Sequence, residues 1–148
     1  ASEADRINML AVALSGFDNF EIDDCEFKRE GKSYTYDTVV YLKNKYPEDD
    51  FYLIVGEDQY LFFDKWYRYE DILKLTTVVT ACRHINRYKE LLQYKSSHIK
   101  MKNSIVSDFD VIEVSSSQIR AEIKAKKDIS SLVPDGVEKY IKEHGLYV

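Results

Sequence analysis

Three consecutive serines followed closely by an arginine are the residues of this chain best suited to bind an anion. Ser115, Ser116, Ser117 and Arg120 lie at the turn between a predicted strand and a predicted helix. Backbone N–H groups at a helix start lack intrahelical acceptors and the helix dipole is positive there, so phosphates bind at such turns. The hydroxyls and the guanidinium could donate further hydrogen bonds to a phosphate. The alternative is an ordinary capped helix, because serine is a preferred N-cap residue.

Polar residues also follow two other predicted strands. Gly56 would let a ligand or backbone come close at a strand end, and Asp58 could accept hydrogen bonds from ribose hydroxyls. Arg83, which follows the next strand, could pair with a phosphate. The structural alternatives are a turn glycine, a helix-capping aspartate and an arginine in a surface ion pair.

Aromatic and hydroxyl side chains supply two more candidates. Trp66 is the only tryptophan and has charged and aromatic neighbours, so its indole could stack on a flat heteroaromatic ring. Thr35 is predicted in the first turn of a helix, where its hydroxyl and the backbone amides could hold a carboxylate. Core packing is the alternative for Trp66, and plain helix capping is the alternative for Thr35.

The hydrophobic pattern predicts the elements that would position these residues. Helices are predicted at residues 2–14, 35–46, 88–94, 119–126 and 134–144 and in the second half of 61–75, and strands at 20–27, 51–55, 77–82 and 110–114. The continuous apolar run at 51–55 predicts a strand that is buried on both faces. Strands alternating with helices form parallel βαβ units, so we predict an α/β fold with an open parallel sheet and helices on both faces. Ligands of such sheets bind beyond the carboxyl ends of the strands, so we expect the polar residues there to face one crevice.

The composition narrows the class of protein. The 148 residues carry a net charge of −5 with 45% hydrophobic and 32% charged residues, which indicates one globular domain and argues against non-specific nucleic-acid binding. No apolar run is long enough to span a bilayer and no signal sequence opens the chain, so we expect a soluble, cytoplasmic protein without membrane partners. Cys25 and Cys82 are far apart and the three histidines show no ligand spacing, which argues against a zinc site and a disulfide framework.

Several of these segments, in this order and approximate spacing, resemble the bacterial-type nicotinate (nicotinamide) mononucleotide adenylyltransferases. The resemblance spans nearly the whole chain and rests on Gly31-x-Ser33-Tyr34-Thr35-x-Asp37-Thr38, Gly56-x-Asp58, Lys65-Trp66, Arg83, Ser115-Ser116-Ser117-x-Ile119-Arg120 and the closing Leu132-Val133-Pro134 to His144-Gly145-Leu146-Tyr147. Two positions depart from the family pattern. Ser117 stands where the family commonly has threonine, and Glu57 stands where a small residue is usual.

The resemblance implies a Rossmann-like nucleotidyltransferase of NAD biosynthesis. Such an enzyme transfers the adenylyl group of ATP, which enters with Mg²⁺, to nicotinate mononucleotide, giving nicotinate adenine dinucleotide and pyrophosphate. Trp66 would stack on the pyridine ring, Thr35 with the backbone near Tyr67 would hold the carboxylate, and Asp58 would meet the ribose. By the same resemblance, ATP is bound by Ser115, Ser116, Ser117 and Arg120, and the mononucleotide by Thr35, Gly56, Asp58, Trp66, Tyr67 and, more weakly assigned, Arg83.

One motif of the family is absent from these residues. The family carries Gly-x-Phe-x-Pro-x-His-x-Gly-His on an N-terminal strand, where its glycines and histidines cradle the ATP phosphates, and no such segment occurs here. The resemblance therefore implies that residues 1–148 are a single nucleotidyltransferase domain that lacks its N-terminal βα unit. No catalytic residue is then expected in this chain, and the 148 residues alone are expected to be inactive or nearly so.

Other functions remain open at this point. A nucleotidyltransferase of the same superfamily, such as one acting on phosphopantetheine, would share much of this pattern. A noncatalytic nucleotide-binding module or a purely structural interaction domain would also be consistent with the missing cradle. The sequence leaves the oligomeric state open, and the expected helix start at Thr35 favours the acid over the amide of the mononucleotide.

Overall fold

A computed structural model describes residues 1–82, 87–108 and 114–148, which fall into two compact units. The terminal unit comprises Ala1–Lys28 and Val114–Val148, and the central unit comprises Arg29–Glu113. In chain order the α-helices are α1 (Glu3–Leu14), α2 (Thr35–Lys45), α3 (Glu57–Tyr60), α4 (Tyr69–Leu75), α5 (Tyr88–Ser97), α6 (Ser116–Lys124) and α7 (Asp135–Glu143). The strands are β1 (Tyr52–Gly56), β2 (Thr77–Ala81) and β3 (Ile105–Ser107), and short 3₁₀ helices span Phe63–Lys65 and Ile99–Met101.

The central unit contains a small parallel sheet with flanking helices. Its strand order is β1-β2-β3, and both pairings are parallel. The register places Ile54 opposite Val79 and Val79 opposite Ile105. The predicted α/β fold with an open parallel sheet is confirmed, because each strand is joined to the next by helical segments.

The central core is formed where one face of the sheet meets the helices. Buried side chains from the strands, from α2 and α4 and from the segments between them pack in one cluster: Val39, Val55, Tyr60, Phe63, Ile72, Val78, Cys82, Leu91 and Met101. Period-two alternation sends Leu53 and Val55 of β1 towards this cluster. The Tyr60 hydroxyl is hydrogen-bonded inside the core, because it lies 2.5 Å from the hydroxyl of Ser104.

The terminal unit is helical in its described part, and its helices begin where local chemistry predicts. Ser2 caps α1 by accepting from the backbone N–H of Asp5 at 3.1 Å, and the Asp5 carboxylate accepts from the Ser2 N–H at 2.8 Å. Hydrogen bonds from the Ser2 hydroxyl and then from the Ser2 N–H hold the pKa of Asp5 below its usual value. Helices α1 and α7 approach closely, because a Cβ on Gly136 would lie 2.6 Å from Cγ1 of Val12. Ile129, Val137 and Ile141 form the buried centre of the unit.

The predicted strand at residues 20–27 is wrong. This segment forms turns, in which the Cys25 N–H donates to the Asp23 carboxylate at 2.9 Å and the Phe27 N–H donates to the Asp24 carbonyl at 3.0 Å. Aspartate side chains that hydrogen-bond to nearby backbone groups compete with strand pairing. The alternation of apolar residues gives no information about these hydrogen bonds.

Two other strand predictions need correction. Strand β1 is exposed on one face, with Tyr52 62% and Ile54 79% exposed, so the prediction of a strand buried on both faces is wrong. A continuous apolar run fits both burial patterns, because it carries apolar side chains on both faces whether or not both are covered. The strand predicted at 110–114 lies outside the described residues except for Val114, which belongs to no strand. The short strand β3 was not predicted.

One buried polar group of the central core leads to a stability prediction. Thr80 on β2 is fully buried, and its Oγ1 has no hydrogen-bond partner among the described residues. Replacing Thr80 by Val should raise the free energy of unfolding by about 1 kcal/mol, because a hydroxyl without a partner is removed and the side-chain shape is kept. Urea denaturation measures the difference.

The matched control is Thr80→Ala, which removes the same hydroxyl but also a methyl group. This variant should be less stable than Thr80→Val, because it leaves a cavity in the core. A Thr80→Val protein that unfolds more readily than the parent would show that the hydroxyl stabilises the native state.

Candidate functional site

The serine-rich turn lies at the start of α6 in the terminal unit, as predicted. Ser115 is the N-cap residue, and its Oγ accepts from the Gln118 N–H at 3.1 Å, so the capping alternative is correct for this hydroxyl. Ser116 and Ser117 are exposed in the first turn, and Arg120 Nη2 donates to Ser117 Oγ at 3.2 Å. The helix start therefore presents two exposed hydroxyls and one guanidinium to solvent.

A cavity of about 500 Å³ adjoins this turn within the terminal unit. Ser116 and Arg120 line it together with Arg6 of α1, and the rest of its wall is mainly apolar side chains from α1, α6 and α7. Two guanidiniums beside an apolar wall suit a ligand that combines an anionic group with a flat apolar part. Arg6 belongs to no motif in the sequence. Its place in the cavity wall results from the packing of α1 against the other helices.

In the central unit, the start of α2 is available to an anion. Tyr34 is its N-cap residue and makes no side-chain capping hydrogen bond, and Thr35 is the first helical residue. The Tyr34 carbonyl accepts from the N–H of Asp37 at 2.9 Å, which closes the first turn. The prediction that Thr35 lies at a helix start is confirmed. The alternative, that the Thr35 side chain caps the helix, is wrong because Tyr34 is the N-cap residue.

Tyr67 packs against the start of α2. Its ring centroid lies 4.6 Å from that of Tyr34 and 6.2 Å from that of Tyr36, the residues on either side of Thr35. The guanidinium carbon of Arg68 lies 4.0 Å from the centroid of the Tyr36 ring, which is a cation–π contact. The structure thus brings Tyr67 to Thr35, as the resemblance implies, although 32 positions of sequence separate the two residues.

Trp66, which precedes Tyr67 in the chain, is half-buried. Its ring centroid lies 4.9 Å from that of Phe63, with the two planes inclined by 37°, and it packs against the central core. Core packing therefore accounts for part of the indole surface, and the exposed part remains accessible to a ligand.

A hydrogen-bonded group fixes the segment that carries Trp66. Tyr94 of α5 donates from its hydroxyl to Asp64 Oδ1 at 2.9 Å and accepts from the Asp64 N–H at 3.2 Å. Lys65 Nζ lies 2.5 Å from Asp64 Oδ2, and this hydrogen bond is the largest cause of the lowered pKa of Asp64. Burial raises the pKa of Tyr94 to about 12.

Asp58 and Gly56 stand at the carboxyl end of β1, as predicted. Gly56 ends the strand and has ordinary extended backbone angles (φ −67°, ψ 155°), so the backbone conformation itself does not demand glycine. Asp58 caps no helix, because Gly56 is the N-cap residue of α3. Its exposed carboxylate pairs with Arg87 at the start of α5, and both line a cavity of about 450 Å³ with Tyr94.

The structure leaves one predicted site residue undescribed and reveals one that was not predicted. Arg83 lies outside the described residues, so its assignment remains a prediction. Arg87 carries no signal in the sequence, since nothing in its neighbourhood links it to Asp58, 29 residues earlier. The predicted crevice shared by all these groups also remains a prediction, because the serine-rich turn and Asp58 belong to different units.

Within the described part of the chain, no group of three or more His, Cys, Asp or Glu side chains is placed to hold a metal ion. Cys25 and Cys82 form no disulfide and are buried. None of the described helices combines the length and apolar character needed to cross a membrane.

The raised pKa of Tyr94 generates a prediction about stability at alkaline pH. The unfolded phenol loses its proton near pH 10 and the folded one near pH 12, so the unfolded state binds fewer protons in between and stability falls as pH rises through this range. Replacing Tyr94 by Phe should make this decline shallower. It should also lower stability at neutral pH by about 1 kcal/mol, because the bond to Asp64 is lost.

Urea denaturation at several pH values from neutral to alkaline measures both effects. Tyr52→Phe is the matched control, because it makes the same substitution at a tyrosine that is largely exposed. Equal slopes for the parent and Tyr94→Phe would contradict the assignment of the raised pKa to Tyr94.

Comparisons with known proteins now place the chain in a family. A family model described as cytidylyltransferase-like matches residues 1–122. The nicotinate-nucleotide adenylyltransferase of Bacillus subtilis is 35% identical over 143 residues, which is 96% of this chain and 70% of that protein. A Borreliella burgdorferi protein named "probable nicotinate-nucleotide adenylyltransferase" is 40% identical over 147 residues, or 99% of this chain and 72% of that protein.

A solved structure agrees with the fold. The nicotinic acid mononucleotide adenylyltransferase of Plasmodium falciparum, complexed with APC, superimposes with a TM-score of 0.76 at 19% identity, over 99% of this chain and 76% of that one. The sequence relatives and the parallel sheet together confirm the resemblance drawn from the motifs. The chain belongs to the nicotinate-nucleotide adenylyltransferase family of cytidylyltransferase-like proteins.

Proposed function

We propose that this chain serves in the transfer of the adenylyl group of ATP to nicotinate mononucleotide, a step of NAD biosynthesis. The observation that carries the proposal is the grouping of an uncapped helix start at Thr35, the Tyr67 ring and the half-buried Trp66 in the central unit. The helix start offers donors for a carboxylate, and Trp66, the residue before Tyr67, offers an indole for a flat ring; these are the two parts of a nicotinate group. Relatives at 35% and 40% identity carry the corresponding name.

On the mononucleotide side, we assign a role to each of the predicted residues. The amides and hydroxyl at Thr35 would bind the nicotinate carboxylate, and the helix dipole would favour this anion over a neutral amide. Trp66 would stack on the pyridine ring, and the backbone at Tyr67 would close over the carboxylate. Asp58 would accept from ribose hydroxyls at the end of β1, Gly56 would give the ligand room, and Arg83 would face the phosphate.

On the ATP side, the start of α6 supplies the donors. Ser116, Ser117 and Arg120 are exposed there, and Ser115 holds the turn in shape by capping the helix. The phosphates would bind at the amides and hydroxyls of the first turn, as anions do at helix starts. Arg6 shares a cavity with Ser116 and Arg120, so we add it to the proposed ATP residues.

The proposed chemistry needs no covalent enzyme intermediate. A phosphate oxygen of the mononucleotide attacks the α-phosphorus of ATP, the new P–O bond completes the dinucleotide, and the bond to the β-phosphate breaks to release pyrophosphate. The protein contributes by holding the two phosphates in line and by stabilising negative charge. Mg²⁺ would enter with ATP and be held by phosphates and water.

We further propose that residues 1–148 belong to one nucleotidyltransferase domain, acting in the cytoplasm. The family match at residues 1–122 covers the whole central unit and part of the terminal unit, which supports a common domain. The glycine- and histidine-containing cradle for ATP is not among these residues, so the groups closest to the reacting phosphorus are expected outside them.

The activity assay uses the 148-residue chain and, separately, the longest reading frame that contains it. Each is incubated with Mg²⁺, ATP and either nicotinate mononucleotide, nicotinamide mononucleotide or phosphopantetheine, and both dinucleotide and pyrophosphate are measured. We expect product from nicotinate mononucleotide with the longer protein and little or none with the 148 residues. Binding without turnover by both proteins would instead identify a noncatalytic nucleotide-binding module, and turnover of phosphopantetheine alone would identify the other superfamily enzyme.

Trp66 provides a prediction specific to the mononucleotide side. Trp66→Ala should raise the dissociation constant for nicotinate mononucleotide about tenfold, since stacking of a base on an aromatic side chain contributes about 1–3 kcal/mol. The dissociation constant for ATP should change little. The dissociation constant of Trp66→Phe for nicotinate mononucleotide should lie between those of the parent and Trp66→Ala. Isothermal titration of all three proteins with each nucleotide measures these constants.

The matched control is Tyr41→Ala, which removes a partly exposed aromatic side chain from α2 away from its start. This variant should bind both nucleotides as the parent does. Equal losses of ATP and mononucleotide affinity in Trp66→Ala would show that the indole acts only through packing.

A further inference from the structure

A buried carboxylate lies next to the proposed ribose-binding residue. The side chain of Glu57 is only 1% exposed, while that of Asp58, the next residue on α3, is 72% exposed. An ionised carboxylate removed from water is unfavourable unless a cation and hydrogen bonds compensate. Arg87 provides such a cation, because its Nη1 lies 3.3 Å from Glu57 Oε1.

The same guanidinium reaches Asp58. Arg87 Nη1 contacts Asp58 Oδ1, and Arg87 Nε lies 3.5 Å from Glu90 Oε2 on α5. The hydrogen bond to Asp58 is the largest cause of the raised pKa of Arg87. Arg87 is therefore a charged link between the buried carboxylate and the exposed one.

Burial of Glu57 makes this link rigid. An exposed arginine–aspartate pair alone contributes little and holds no fixed geometry, because both side chains rotate in water. Arg87 differs, since rotating away from Asp58 would also draw the guanidinium from a carboxylate that has almost no access to solvent. The contacts of Asp58 thus extend through Arg87 to the buried Glu57.

We propose that Glu57 and Arg87 are positioning residues that hold the Asp58 carboxylate in the orientation in which it accepts from the ribose of the mononucleotide. The inference rests on the proposed function of Asp58 and deepens it. The contact with Arg87 uses Oδ1, and within the described residues Oδ2 carries no hydrogen bond, so this oxygen is available to a hydroxyl in the adjoining cavity of about 450 Å³.

The first test removes the guanidinium. Arg87→Met should raise the dissociation constant for nicotinate mononucleotide about tenfold, the effect of one oriented hydrogen bond lost, and leave that for ATP within about twofold. The dissociation constant of Arg87→Lys for the mononucleotide should lie between those of the parent and Arg87→Met, because lysine keeps the positive charge but lacks the planar guanidinium. Isothermal titration with each nucleotide is the readout. Lys139→Met is the matched control, since it removes one positive charge from a side chain that is 75% exposed in the other unit.

The second test asks whether Arg87 acts through Asp58. Asp58→Asn alone should weaken mononucleotide binding, and adding Arg87→Met to it should cause no further loss, because the residue to be positioned is already impaired. Additive losses would show that Arg87 contacts the ligand or acts independently, which would overturn the inference.

The remaining control separates positioning from folding. Arg87→Met takes this cation away from Glu57 and could therefore destabilise the fold. The double variant Glu57→Gln/Arg87→Met removes both charges and is measured as a comparison. The melting temperature of each variant is measured together with its nucleotide binding. Parent-like mononucleotide binding by the double variant, with weak binding by Asp58→Asn, would overturn the inference and leave the proposed function intact. Parent-like binding by Asp58→Asn would instead contradict the proposed role of Asp58.

Discussion

The parallel pairing of β1 with β2 is the interaction on which the central unit depends. Five residue pairs, from Tyr52–Thr77 to Gly56–Ala81, bring the carboxyl ends of the two strands level with each other. The segments that leave these two strand ends are therefore neighbours, and Asp58 meets Arg87 although 29 residues separate them. A slip of one residue would reverse which side chains of a strand face the core. The core packing of Val55 and Val78 thus fixes the polar site as well.

Local chemistry made much of this fold predictable. Helix α1 begins at a capping box that is legible in the sequence, and α7 follows a proline and ends before a glycine. The turn at residues 23–27 shows the limit of this reasoning, because an aspartate that bonds to nearby backbone overrode an alternating pattern. Ile54 shows another limit, since whether an apolar face is covered depends on what packs on it and not on the strand itself.

The residues of the candidate site were predictable to the same extent. Those that belong to motifs, such as Thr35 and Arg120, stand at helix starts as their neighbours in sequence predict. Ser115 proved to be a cap, which a sequence cannot distinguish from a ligand-binding hydroxyl because both uses need the same geometry. Arg6 and Arg87 could not be predicted, since their contributions arise from contacts between distant parts of the chain.

The burial of Glu57 has a consequence for how this chain can evolve. Replacing Arg87 alone takes a cation away from the buried Glu57 carboxylate, whereas replacing Glu57 alone leaves Arg87 paired with Asp58 and Glu90. The dependence between the two positions is therefore one-sided: lineages with a buried carboxylate after the strand should keep an arginine at the start of the next long helix, whereas an arginine without that carboxylate is tolerated. An alignment of relatives would record this coupling as covariation between positions 57 and 87.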